Sequence, residues 1–216
     1  MQNPSVILKN KELLVASGNQ KKKLEITDLL KHHNITLYSL KDFGIKEPEE
    51  TGRSFVENAI LKARNAAKYS NLPSLADDSG LIVDALHGEP GIYSARYCTK
   101  NDNGITQDKA NINKLINKLK KIDTPNKKFP ARYVCVLVFV KNHHDPCPII
   151  IQKFWEGQII LEPKGENGFV YDPIFYIPKL NKTAAELTIE EKQAVSHRGL
   201  ALKEFVELFS SSCTSK

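Results

Sequence analysis

The stretch LPSLADDSGLIVDA, residues 72–85, sets two adjacent carboxylates, Asp77 and Asp78, among apolar neighbours. Burying a carboxylate beside Leu75, Leu81, Ile82 and Val83 is costly unless it is ion-paired, hydrogen-bonded or bound to a cation. General acid–base chemistry or a metal site would supply such a partner; the structural alternative is an Asx-type turn closing a hairpin. Strand side chains alternate between faces, so both aspartates can serve one site only if the strand ends beside them. Ser79 and Gly80 are residues that end strands, and the pattern reads as two short strands around Asp77 to Gly80.

A second chemical cluster is SGNQKKK: Ser17, Gly18 and Asn19 ahead of Gln20 and the lysines Lys21, Lys22 and Lys23. It lies where a short buried strand, Glu12 to Ala16, gives way to a helix from Lys21 to Lys31 with Leu24, Leu29 and Leu30 inward. The first helical N–H groups have no intrahelical partners and the dipole there is positive, which favours phosphate oxygens. These residue types taken alone favour the alternative, an ordinary turn with an N-cap. Near the carboxyl end, Ser196 caps a final helix with Ala201, Leu202, Phe205, Val206 and Phe209 on its apolar face. His197 and Arg198 then fall in its first turn, where cations are unfavourable unless an anion or solvent compensates them.

The elements between these clusters are legible at lower resolution. Ser54 and Glu57 form a capping box for a helix to Ser70, with Val56, Ala59, Ile60, Ala63 and Ala67 at helical spacing. Lys62 lies off that stripe and is expected to point to water, a cleft being the alternative. Glu49 and Glu50, in the loop before the helix, offer carboxylates suited to a metal. Arg132 to Val140 and Pro148 to Trp155 read as a hairpin. Loops are expected at Glu47 to Thr51, Lys100 to Asn103, Thr124 to Pro130, Asn142 to Pro148 and Pro163 to Asn167. His143, His144 and Cys147 match no familiar zinc spacing. Trp155 and Phe169 either stack on a base or fill core.

With 216 residues, 41% of them hydrophobic, the chain suffices for one domain, with room for two lobes. The amino terminus lacks a signal pattern and no apolar run reaches about 18 residues, so a soluble, cytoplasmic protein is expected. The four cysteines, Cys98, Cys135, Cys147 and Cys213, are scattered and read as reduced thiols. A net charge of +6 suits an anionic partner, but the acidic pairs oppose nucleic acid unless a metal intervenes.

Taken in order, ASGN (16–19), EETG (49–52), SFVENAILKAR (54–64), ADDSGLIVDAL (76–86), PGIYSARY (90–97), GFVYDPIF (168–175) and AELTIEEKQAVSHRG (185–199) resemble the inosine triphosphate pyrophosphatases, the RdgB-like non-canonical purine NTP pyrophosphatases. The resemblance spans nearly the whole chain. It implies an α/β fold, an elongated mixed sheet flanked by helices in a single domain of two lobes around a central active-site cleft. It also implies a homodimer, no membrane or stable nucleic-acid partner, and Mg²⁺-dependent hydrolysis of ITP, dITP or XTP to monophosphate and pyrophosphate, keeping such nucleotides out of DNA and RNA.

By the same resemblance, Ser17, Gly18, Asn19, Gln20, Lys21 and Lys22 form the triphosphate loop, Lys62 approaches the phosphates, and Glu50 and Asp78 are metal positions. Asp78 is also the catalytic acid residue, with Asp77 its neighbour. Ser79, Phe169, Val170, Tyr171, Asp172, Lys192, His197 and Arg198 match substrate-binding positions. Two departures stand out: Ser17 replaces the usual threonine, and Val170 replaces a common glycine, a change of consequence if the backbone there needs a positive φ.

Overall fold

Leu13, Leu14 and Val15 have no solvent exposure beyond 1%, and they form the strand β1 (Glu12–Val15) that the apolar run predicts. The computed structural model describes residues 11–19, 22, 25–27, 30, 35–99, 104–123 and 127–210, with no description of the side chains of 209 and 210. The expected loop at Lys100 to Asn103, the thiol of Cys213, and Leu24 and Leu29 of the first helix lie outside these residues. Residues 22, 25–27 and 30 are helical, and Ile26 and Leu30 are fully buried.

The remaining strands are β2 (Thr36–Ser39), β3 (Ser74–Val83), β4 (Phe129–Val140), β5 (Ile149–Ile159), β6 (Phe175–Ile177) and β7 (Lys182–Thr183). They form one seven-stranded mixed sheet in the order β2-β1-β3-β4-β5-β6-β7. Strand β1 pairs parallel with β2, Leu14 opposite Tyr38, and with β3, Val15 opposite Leu75. Parallel neighbours require crossover connections. The first helix supplies one, and α1 (Phe55–Ser70) supplies the next. Strand β6 pairs antiparallel with β5 and β7. Three further helices are α2 (Gln107–Leu119), α3 (Ile189–Val195) and α4 (His197–Ser210).

The chain divides into two units, one of Met1–Asp78, Cys135–Lys153 and Leu200–Lys216, the other of Ser79–Val134 and Phe154–Gly199. Each has its own apolar core. The first gathers Leu13, Val15, Leu75, Leu137, Phe139 and Phe205; the second gathers Leu81, Leu115, Phe129, Trp155, Tyr171 and Phe175.

Helix α1 begins at the expected Ser54 cap, its hydroxyl accepting from Glu57 N, but Glu57 Oε2 accepts from Arg53 N, one residue before the cap, and so does not close the expected capping box. Its buried face is Asn58, Ala59, Lys62, Ala63, Ala66, Ala67 and Ser70, so Lys62 belongs to the buried face and not to water. Three other expectations change. Strand β3 runs unbroken for ten residues through Ser79 and Gly80. Strand β1 pairs with β3 only at Ser74 and Leu75, so pairing with the long neighbouring strand β4 is what outweighs the local turn preference of Ser-Gly. Strand β4 starts at Phe129, shortening the expected loop, because Phe129 and Ala131 are buried and exposed Pro130 sits near the strand's start, where a missing N–H costs little. Strand β5 continues past Trp155 to Ile159 through Gly157, where a Cβ would lie 2.5 Å from Phe175 Cζ.

Cys98, Cys135 and Cys147 are free thiols. Among the described residues no helix is long and apolar enough to cross a membrane.

Candidate active site

The functional residues fall into two sets, one in each unit. In the first unit, β3 carries Asp77 and Asp78 on opposite faces, and each carboxylate has its own lysine. Asp77 Oδ2 accepts from Lys22 Nζ at 2.8 Å, and Asp78 Oδ1 accepts from Lys62 Nζ at 2.8 Å. The alternation that a broken strand was expected to relieve is instead met by cations arriving from two helical segments. Lys62 also donates to Glu50 Oε1 at 3.1 Å, so one ammonium is bracketed by two carboxylates.

Burial and charge act on this trio in opposite senses. Burial raises the Asp78 carboxyl above the ordinary aspartate range, with Lys62 offsetting only part of the effect. Burial also opposes the Lys62 ammonium, but Asp78, Asp77 and Glu50 together more than compensate, and Lys62 is held as a cation. Asp78 Oδ2 remains buried with no hydrogen-bond partner among the described residues. A buried carboxylate oxygen in that condition is expensive unless something binds it.

That oxygen bears on metal binding. No group of three or more His, Cys, Asp or Glu side chains among the described residues is arranged as a metal cage, the His143, His144 and Cys147 loop included. Mg²⁺ requires less of the protein, since it takes one or two carboxylates and fills its octahedron with water and substrate phosphates. Glu50 and Asp78 offer hard oxygen donors of that kind, and the unengaged Oδ2 fits the ion.

The loop before the first helix is tied by its own polar groups. Asn19 N donates to Ser17 Oγ, and Asn19 Oδ1 accepts from Lys22 N, so Asn19 caps the helix start. Gly18 N donates to Glu47 Oε1 at 2.7 Å. A carboxylate therefore occupies the donor that an anionic ligand of this loop would use. Glu47 was not legible as a site residue, because it comes from a distant loop. Gln20 and Lys21 lie outside the described residues.

In the second unit Asp172 is the hub. It is 1% exposed, and both its oxygens are engaged: Oδ1 accepts from Tyr133 Oη at 3.1 Å, and Oδ2 accepts from Phe169 N at 2.6 Å and from Lys192 Nζ. Gly168 makes the turn possible. Its φ is +93°, and a Cβ there would lie 1.9 Å from Asp172 Oδ2. The positive φ belongs to Gly168; Val170 has no positive φ and packs against the apolar core, so valine in place of the family's glycine carries no backbone strain.

The ring of Phe169 lies under two cations, Lys192 Nζ and Arg198 Cζ, each 4.8 Å from its centroid. Cation–π attraction is one compensation for placing Arg198 at a helix's positive end. Gly199 N donates to Ser196 Oγ, the cap expected for α4. Arg198 Nη2 lies 3.5 Å from Ser79 Oγ. His197 is 5% exposed and stacks on Tyr133, with centroids 4.8 Å apart and planes 5° apart. Trp155 completes a near-parallel stack with both and is core. Tyr171 is 2% exposed and donates its hydroxyl to the Ser94 carbonyl at 2.9 Å. Lys192 reaches Asp172 from α3, whose start is fixed by a Thr188–Glu191 capping box.

The family model described as Ham1 matches residues 13–208. A protein of Shigella flexneri named dITP/XTP pyrophosphatase is 50% identical over 192 residues, covering 89% of this chain and 94% of that protein. Its namesake in Escherichia coli strain K12 is 48% identical over the same share of each chain. The structure of a HAM1 protein from Coxiella burnetii aligns with a TM-score of 0.85 at 44% identity, over 93% of this chain and 98% of that one.

Proposed function

The chain belongs to the Ham1 family, and from that premise we propose that it is a nucleoside triphosphate pyrophosphohydrolase acting on dITP, XTP and ITP. The observation that carries the reading is the Lys62 ammonium bracketed by Glu50 and Asp78, with Asp78 Oδ2 unengaged. Water attacks the α phosphorus, the bond from that phosphorus to the bridging oxygen breaks, and pyrophosphate leaves. The Asp78 carboxylate takes the proton of the attacking water. Lys62 and Lys22 stabilise charge developing on the phosphates, as preorganised cations do in phosphoryl transfer. Glu50 and Asp78 would hold Mg²⁺, which supplies further neutralisation of the triphosphate when bound.

The second unit's set reads the base. Hypoxanthine and xanthine carry an oxygen at C6 where adenine carries an amino group, so a buried donor rewards the former and is left unpaired by the latter. His197 and Arg198 are the donors suited to that task. The resemblance extends the reading to a homodimer and to a role in keeping non-canonical purines out of nucleic acid.

Incubation with dITP, XTP, dATP and dGTP, with and without Mg²⁺, tests this reading by chromatography of the products. Monophosphate and pyrophosphate from dITP and XTP alone are expected. Diphosphate with orthophosphate would sink the proposal, and turnover confined to modified pyrimidine triphosphates would point to a Maf-like pyrophosphatase instead.

The Glu47 contact makes a separate prediction. A triphosphate oxygen must displace this carboxylate from Gly18 N, so Glu47→Ala should lower KM for dITP about threefold and, by slowing pyrophosphate release, lower kcat. A raised KM would show that Glu47 supports the loop and does not compete for it.

A further inference from the structure

Tyr133 opens the unbroken buried run of β4, residues 133–140, and is 6% exposed. A buried tyrosine hydroxyl needs a partner. The partner is Asp172 Oδ1, at 3.1 Å. The ring meanwhile lies flat against the His197 imidazole and tilts onto Phe175, with a 4.6 Å centroid separation. One side chain thus touches the carboxylate that holds Lys192 and the imidazole that α4 delivers.

We propose that Tyr133 is a positioning residue for purine recognition: its hydroxyl orients Asp172, and through it Lys192 and the Phe169 backbone, while its ring sets the plane of His197. This rests on the purine-pyrophosphatase reading above. Tyr133 does not itself reach substrate. Burial, and then the Asp172 charge, push its phenol well above the ordinary tyrosine range, so it remains a neutral donor across working pH. Substitution by phenylalanine keeps the ring on His197 and removes only the hydrogen bond, whereas leucine removes both.

The test is steady-state kinetics on Tyr133→Phe and Tyr133→Leu with dITP and XTP, alongside inhibition by inorganic tripolyphosphate, which has no base. Tyr133→Phe should raise KM for both nucleotides about five- to tenfold, with kcat within twofold and the tripolyphosphate Ki unchanged. Tyr133→Leu should raise KM further and reduce the ring-current shift of the His197 imidazole resonances to the part that Trp155 contributes, the resonances being assigned by their loss in His197→Gln. An unchanged KM in Tyr133→Phe, or a tripolyphosphate Ki that rises in step with KM, would overturn the inference and leave Tyr133 a packing residue. A wild-type enzyme inert toward dITP and XTP would instead overturn the functional reading. The imidazole shift, measured without substrate, distinguishes that failure from a misplaced ring.

Discussion

Asp78→Asn should lower kcat for dITP by about 10²- to 10⁴-fold, the range that a positioned general base contributes. Asparagine is nearly isosteric, so far-UV circular dichroism should be unchanged. Two roles meet in this carboxylate, and magnesium separates them. If Asp78 acted only as a metal ligand, raising Mg²⁺ would restore much of the rate. If the carboxylate accepts the proton, saturating Mg²⁺ leaves the deficit in place. Near-wild-type turnover with intact metal binding would remove Asp78 from the chemistry altogether.

The second large effect is on stability. Lys62→Met removes the only cation that contacts both Asp78 and Glu50 among the described residues. The pair is deeply buried, with side-chain exposures of 9% for Lys62 and 9% for Asp78. Breaking such a pair from one side costs about 3–5 kcal/mol. Asp78 is already raised by burial and would rise further without Lys62. A carboxyl whose folded-state pKa lies above its unfolded value favours folding when protonated and loses that contribution as pH rises. The Lys62→Met penalty should therefore be small near pH 4 and grow as pH passes through the raised Asp78 value.

The double variant Lys62→Met/Asp78→Asn should recover all but about 1 kcal/mol of stability, because a buried pair replaced on both sides is near neutral. It should remain inactive. Urea unfolding at acid and neutral pH reads all three variants, and a Lys62→Met loss independent of pH would contradict this electrostatic account.

Local signals in the sequence carried much of this architecture. The Ser54 N-cap, the apolar run before Ser17 and the Ser196 cap each depend on residues within a few positions of one another, and each appears where expected. Non-local effects were hidden. Ser79 and Gly80 look like a turn until the neighbouring strand β4 is in place. Lys62 reads as solvated until two carboxylates from other segments arrive to meet it. The candidate site was legible mainly through its ordered motifs, whereas Tyr133 and Glu47 act through contacts at separations of 39 and 29 residues. The one available signal for Tyr133 was a lone hydroxyl at the start of the apolar run that follows Arg132.

The Glu47 carboxylate on Gly18 has a further consequence for the end of the catalytic cycle. If the loop holds a triphosphate as proposed, it also holds pyrophosphate, and slow departure of that product would limit every turnover. An internal anion tethered beside the loop stands at high effective concentration and can reclaim the Gly18 donor as the product loosens. The same contact that weakens substrate capture therefore speeds clearance, and it sets the enzyme toward throughput at the expense of retention.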